Sequence, residues 1–160
     1  MYTKTIITLC LMLSGGTTFQ AQRLKPFKHE TYGYYGYKDD KGNVVVQPLF
    51  EYAGALTEGM GTVYNGGKYG FVDSTGKLVV SPKYDFAGFF SDGLAAVNIG
   101  ARYNDEQQQM LGGKWGYIDK TGKEVINVKF DEAGDFRNGK AYVNANGKYF
   151  YIDKTGREIK

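Results

Sequence analysis

Apolar and polar residues alternate in short bursts along this chain, and the bursts predict strands. Tyr69, Phe71 and Asp73 alternate with Gly70 and Val72, the period-two pattern of a strand. Asp73-Ser74-Thr75-Gly76 then predicts a reversal, with the aspartate accepting backbone N–H groups at the turn start and Gly76 taking positive φ. Leu78-Val79-Val80 reads as a second strand. The same succession stands at Asp39 and Gly42 before Val44-Val45-Val46, at Asp119 and Gly122 before Val125-Ile126, and again at Asp153 and Gly156. Pro48 and Pro82 are expected to end the second strand. Beyond them apolar residues fall three apart: Phe50, Ala53, Leu56; Tyr84, Ala87, Phe90; Phe130, Ala133, Phe136. That spacing predicts a compact turn or short 3₁₀ segment laid over the sheet, too broken by Gly54, Gly88 and Gly134 for a full helix. Gly59, Gly93 and Gly139 release the chain into a third strand, where a small residue and a valine alternate as Gly61 and Val63, Ala95 and Val97, Ala141 and Val143. A turn such as Asn65-Gly66-Gly67-Lys68 leads back to the next Tyr-Gly strand, so third, first and second strands form an antiparallel meander.

Laid on itself, the chain repeats. Stretches beginning at Tyr35, Tyr69, Trp115 and Tyr149 superpose; the first two starts are 34 residues apart, as are the last two, and the middle interval of 46 is one period plus 12. A fixed period in this range marks a repeat array whose units cannot bury an apolar face alone. The division is a segment 1–21, a capping segment 22–34, and a repeat domain 35–160 with units 35–68, 69–114 (carrying an insertion, 100–113), 115–148 and a partial unit 149–160. Residues 23–34 contain Leu24, Pro26 and Phe27 but no turn signature, and are expected to supply the missing third strand ahead of Tyr35. The fold class is all-β: tandem three-stranded antiparallel meanders forming an open twisted or propeller-like array.

Lys114-Trp115-Gly116-Tyr117-Ile118-Asp119-Lys120-Thr121-Gly122-Lys123 resembles the bacterial WG-repeat family, named for its Trp-Gly pair and often preceded by lysine. The resemblance covers residues 35–160 and implies β-hairpin repeats of largely unassigned function. Tyrosine replaces the tryptophan in the other copies, Phe150 replaces the glycine in the last, and Val128 stands where Pro48 and Pro82 stand earlier.

Composition adds the compartment and excludes some partners. Lys4, the apolar run Ile6–Leu13, and small and polar residues ending in Ala21-Gln22 have the order of a secretory signal. The run is shorter than the roughly 20 residues of a spanning helix, so cleavage after Ala21 and no stable membrane insertion are expected. Cys10 lies inside this segment, without the small preceding residue of a lipoprotein signal. Loss of Lys4 from 20 Lys+Arg leaves 19 against 17 Asp+Glu, a scattered and nearly balanced set that argues against nucleic acid. The 14 tyrosines, 10 phenylalanines and 23 glycines agree with strands and tight turns.

Candidate chemistry is sparse. His29 stands alone in the N-terminal segment, so neither a Cys-His pair nor a Ser-His-Asp triad has its parts, and the Asp-x-Thr-Gly turns lack the alternating acids of a calcium loop. No cofactor or metal is expected. Glu51, Asp85 and Asp131 could in principle make a glycosidase pair, but an acid present once per repeat usually serves the repeat. Tyr35, Tyr69, Trp115 and Tyr149 head equivalent strands and could form an aromatic ladder for glycans or a protein partner, or pack as core. The insertion, polar and carrying Arg102 and Tyr103, predicts an extended hairpin tip, a place where binding tends to reside. The resulting expectation is an exported, extracytoplasmic (periplasmic or secreted), non-catalytic module that binds a protein partner or envelope component. A glycan or cell-wall binder is the alternative, and a glycoside hydrolase the least favoured reading.

Overall fold

The computed structural model describes residues 23–104, 106 and 109–160; segment 1–21, expected from the sequence to be a secretory signal, lies outside the described residues. Among the described residues there are fifteen strands and no helix. The first sheet is β1 (Lys25–Lys28), β2 (Tyr35–Lys38) and β3 (Val44–Phe50), the second β4 (Tyr52–Ala53), β5 (Met60–Asn65), β6 (Lys68–Asp73) and β7 (Leu78–Tyr84). The third is β8 (Phe86–Ala87), β9 (Leu94–Asn104), β10 (Gln109–Asp119) and β11 (Glu124–Phe130), the fourth β12 (Glu132–Ala133), β13 (Lys140–Ala145), β14 (Lys148–Asp153) and β15 (Glu158–Ile159). All pairings are antiparallel between chain neighbours, and β1 pairs with β2, so the N-terminal segment does supply the missing third strand. Among the described residues no barrel closes; the all-β antiparallel meander repeats are present, with a two-residue strand added at the edge of each of the last three sheets.

The turn between first and second strands forms as its residues dictate. Asp73 Oδ1 accepts the Thr75 N–H (2.8 Å), the Thr75 hydroxyl (2.6 Å) and the Lys77 N–H (3.0 Å), while Gly76 sits at φ 86°. Asp119 and Asp153 make the same three bonds. The turn into the third strand is a second tight reversal, with both central residues at positive φ: Glu58-Gly59, Asp92-Gly93 and Asn138-Gly139. Left-handed backbone is unusual for Glu58, and its carboxylate has a use that offsets it. Glu58 Oε2 accepts the Gly93 N–H (2.9 Å) and meets Lys120 Nζ (3.2 Å), just as Asp92 Oδ2 accepts the Gly139 N–H (2.8 Å), so each turn is stitched to the next.

Two sequence expectations are corrected. The second strands do not end at Pro48 and Pro82; β3 and β7 run through them to Phe50 and Tyr84. Both are edge strands, where a missing N–H is tolerated, and both bulge there: Tyr69 pairs Tyr84, yet Phe71 pairs Val80. The bulge also explains the glycine that follows each leading aromatic. A Cβ on Gly36, Gly70 or Gly116 would meet the carbonyl oxygen of Val46, Val80 or Ile126 at 2.3, 2.4 and 2.6 Å. No bulged strand crosses Phe150, because β15 is Glu158–Ile159, and the ring packs near Phe130 instead (6.4 Å). The second correction concerns the apolar residues three apart. No 3₁₀ segment forms; the chain steps from the edge of one sheet to the edge of the next, and Ala53 and Ala87 lie in two-residue strands paired with Val63 and Val97. Phe50, Ala53 and Leu56 share a core because the crossing turns all three inward.

Each core lies between consecutive sheets. Tyr37 and Phe50 of the first sheet pack with Val63 and Val72 of the second; Phe71 and Val80 with Phe90, Val97 and Ile118; Tyr117 and Ile126 with Phe136, Val143 and Ile152. Adjacent residues such as Phe71 and Val72 thus serve opposite cores, and burying each aliphatic contributes roughly 2 kcal/mol. Tyr37 and Tyr117 donate their hydroxyls to Gly54 O and Gly134 O of the following sheet, both at 2.8 Å, and burial pushes both phenols above their ordinary range. Phe71 has no hydroxyl to give, and Thr62 Oγ1 donates to Gly88 O (3.4 Å) in its place.

Candidate functional site

The insertion is spliced into the middle of a two-residue turn. In the fourth sheet the β13–β14 reversal has Asn146 and Gly147 at positive φ; the matching positions of the third are Gly100 (φ 91°) and Gly113 (φ 71°), with the twelve extra residues between them. The turn geometry is kept on both sides, and the extra residues continue β9 and β10 as a paired ribbon from Ala101↔Gly112 out to Asn104↔Gln109. Asn98 fixes the splice: its Oδ1 accepts the Ala101 N–H (3.2 Å) and its Nδ2 donates to Gly112 O (3.3 Å). A Cβ on Gly113 would lie 2.2 Å from that Oδ1, so only glycine fits beside it.

A groove of about 530 Å³ opens at the foot of the ribbon, lined by Trp115, Phe86, Asn98, Ala101, Leu111 and Glu132 among others. Its origin is a departure from the repeat. Tyr35 has Tyr52 beside it (6.0 Å between ring centroids) and Tyr69 has Phe86 (5.3 Å), each ring belonging to the first strand of the next sheet. The corresponding residue after Trp115 is Glu132, a smaller and charged side chain that stands where the earlier units place a ring, and it lines the groove beside the indole. Glu132 Oε1 accepts the Tyr149 hydroxyl (2.8 Å) and the Asn144 amide (3.3 Å), and the first of these bonds raises the Tyr149 phenol.

The sequence candidates divide accordingly. Tyr35, Tyr69 and Trp115 are half-buried, and Tyr64, Tyr69, Phe86 and Trp115 form a run of ring contacts at 4.8, 5.3 and 5.7 Å. Tyr149 is exposed on the last sheet, away from this run. Arg102 and Tyr103 are exposed on the ribbon, which also presents Leu111, and Ile99 is exposed at its foot. Phe86, Leu111 and Glu132 escape the sequence reading, although aligning the residue after each repeat acid (Tyr52, Phe86, Glu132) marks Glu132 as the odd one.

The repeat acids have structural partners. Asp85 pairs with Lys68 Nζ and accepts the Gly100 N–H (2.7 Å); Asp131 pairs with Lys114 Nζ and accepts the Asn146 N–H (2.6 Å); Glu51 accepts the Gly66 N–H (3.0 Å). Each thus ties a hairpin turn to the sheet edge. Burial tends to raise the Asp85 carboxyl, but Lys68 and the Gly100 N–H outweigh it and hold it below the ordinary range; Lys114 and the Asn146 N–H do the same for Asp131. His29 stacks on Tyr32 (4.6 Å) and accepts the Thr31 N–H (3.3 Å). Among the described residues no group of three or more His, Cys, Asp or Glu side chains converges as a metal site would.

The lysine-aromatic-glycine signature is therefore accounted for residue by residue: the lysine pairs with a repeat acid, the aromatic packs against neighbouring rings, and the glycine accommodates a bulge. No curated protein and no solved structure matches the chain. Three stretches, residues 35–69, 69–103 and 115–149, do match the family described as WG containing repeat, and together they span well over half of the 160 residues. The chain is a member of the WG-repeat family.

Proposed function

We propose that this protein is an exported, non-catalytic binding module, and that its hairpin ribbon and the Trp115 groove hold a protein partner of the cell envelope. The observation that carries the reading is the join of the two features: a twelve-residue ribbon set into a turn without disturbing it, with exposed Tyr103 and Leu111 and with exposed Ile99 at its foot, opening onto a groove lined by an incompletely covered tryptophan. Apolar and aromatic side chains with an arginine beside them are the usual anchors of protein interfaces. The non-catalytic part is supported by the engagement of Glu51, Asp85 and Asp131 in turn-holding bonds. Export is supported by the order of charge, apolar run and small residues in 1–21. A glycan ladder along Tyr35, Tyr69 and Trp115 is supported less, since these rings are half-buried against others.

The test is to recover tagged protein from its native cells with whatever it holds. We expect an N-terminus close to Gln22 by mass spectrometry, and an envelope protein that is retained by the wild type but lost from Leu111→Ser at an unchanged melting midpoint. Intact Met1 in the cytoplasm would remove the export half of the proposal, and equal retention by Leu111→Ser would remove the ribbon half.

A further inference from the structure

The outer face of the fourth sheet differs in kind from the faces inside the array. Tyr142 and Tyr151 are direct partners across β13 and β14, and Tyr149 lies on the same side; they are 49%, 45% and 49% exposed. Tyr142 stacks on Tyr149 (5.5 Å between centroids, 21° between planes) and meets Tyr151 at 5.0 Å. Beside them is a hollow of about 260 Å³ lined by Tyr142, Tyr149, Asn144 and Glu132 among others. Lys140 Nζ lies over the Tyr151 ring at 4.9 Å, and Glu132 Oε1 accepts the Tyr149 hydroxyl at 2.8 Å, so the rim carries both signs of charge.

We propose that this face is a stacking platform for a saccharide whose pyranose rings offer flat C–H faces, such as a β-1,4-linked, gluco-configured chain. Another sheet fits poorly here. In the second and third sheets the position of Tyr142 is held by Thr62 and Ala96, small enough for the following sheet to close over them. A second copy offers no matching face either. At the other end of the array Lys25, Phe27 and Lys38 occupy the places of Gly61, Val63 and Val72, Ala95, Val97 and Ile118, or Ala141, Val143 and Ile152. The area is also wrong for a dimer. Three half-exposed tyrosines offer on the order of 300 Å², against roughly 800 Å² per partner in a stable protein interface. What remains suits a sugar: a cluster of half-exposed tyrosine rings for its C–H face, with phenol hydroxyls, an amide and a carboxylate at the edge for its hydroxyls.

The experiment is titration of the protein beginning at Gln22 with chitohexaose and cellohexaose, with maltohexaose as the α-linked control. Both β-linked oligomers should bind better than maltohexaose. In saturation-transfer NMR on the unmodified protein, signal should fall on the ring C–H protons of the sugar. Tyr142→Ala and Tyr149→Ala should each weaken binding about tenfold or more, Tyr149→Phe should stay within about threefold, and excision of the ribbon residues 101–112 should leave binding unchanged. That last arm separates this site from the proposed partner site. No binding of any of the three oligomers at millimolar concentration would overturn the proposal. So would binding that survives both alanine variants, or concentration-dependent self-association that Tyr142→Ala abolishes.

Discussion

The turn glycines show how one residue answers two demands. Gly42, Gly76, Gly122 and Gly156 all stand at φ between 81° and 86°, as the local Asp-x-x-Gly pattern predicts. The second demand is tertiary and cannot be read from the turn. A Cβ on Gly122 would lie 2.6 Å from Val80 Cγ2 of the preceding sheet, whereas one on Gly42 meets nothing within 4 Å. Gly42→Ala should therefore cost only the left-handed backbone penalty, about 1 kcal/mol, while Gly122→Ala should cost a further 1–3 kcal/mol, roughly, for the overlap. Urea denaturation of the two variants checks this, and equal costs would mean that the turns do not dock on the strand behind them. The lysine-aromatic-glycine signature has the same character. Its recurrence is plain in the sequence, but the reason for the glycine is a bulge made by residues ten to twelve positions away.

At the scale of the element, the turns were readable and the crossings were not. Aspartate and glycine act within four residues of chain, so their spacing carries the structure directly. Pro48 and Pro82 mislead because a proline in an edge-strand bulge and a proline that ends a strand look alike locally. Phe50, Ala53 and Leu56 mislead because a crossing between sheets imitates a helical period. The turn carboxylates make a pH prediction. The Thr121 hydroxyl and N–H hold Asp119 below its ordinary range, the Thr155 hydroxyl and the Arg157 N–H hold Asp153 there, and for Asp73 the bonds from Thr75 and Lys77 outweigh a raising effect of burial. A carboxyl depressed in the folded state stabilises above its unfolded value, about 3.9, and that stabilisation is lost as pH falls toward the folded value. The melting midpoint should thus be flat from neutral pH down to about 5 and fall below about 4, with a shallower fall in Asp119→Asn. A midpoint that declines evenly from pH 7 would place the controlling group elsewhere.

Across the whole molecule, the repeat builds the scaffold and its departures build the surfaces. Successive sheets share cores, Glu58 and Asp92 stitch turn to turn along the array, and the repeat acids tie hairpin turns to sheet edges. Phe150, Glu132, Tyr142 and the twelve residues after Gly100 break the pattern; the last three shape the exposed features, and the insertion is the departure plainest in the sequence. That Glu132 and Trp115 line one groove is not readable in the sequence, because it depends on which residue of the next sheet lies over which strand. The most direct test of the binding role is excision of residues 101–112, joining Gly100 to Gly113. The junction Ile99-Gly100-Gly113-Lys114 then matches Asn65-Gly66-Gly67-Lys68, whose two glycines already turn a hairpin at φ 59° and 78°. Stability measured by denaturation should stay within about 1 kcal/mol of the parent protein, since the shorter loop closes easily, and the envelope partner should no longer be retrieved. Retrieval of the same partner by the excised, folded protein would contradict the assignment of recognition to the ribbon.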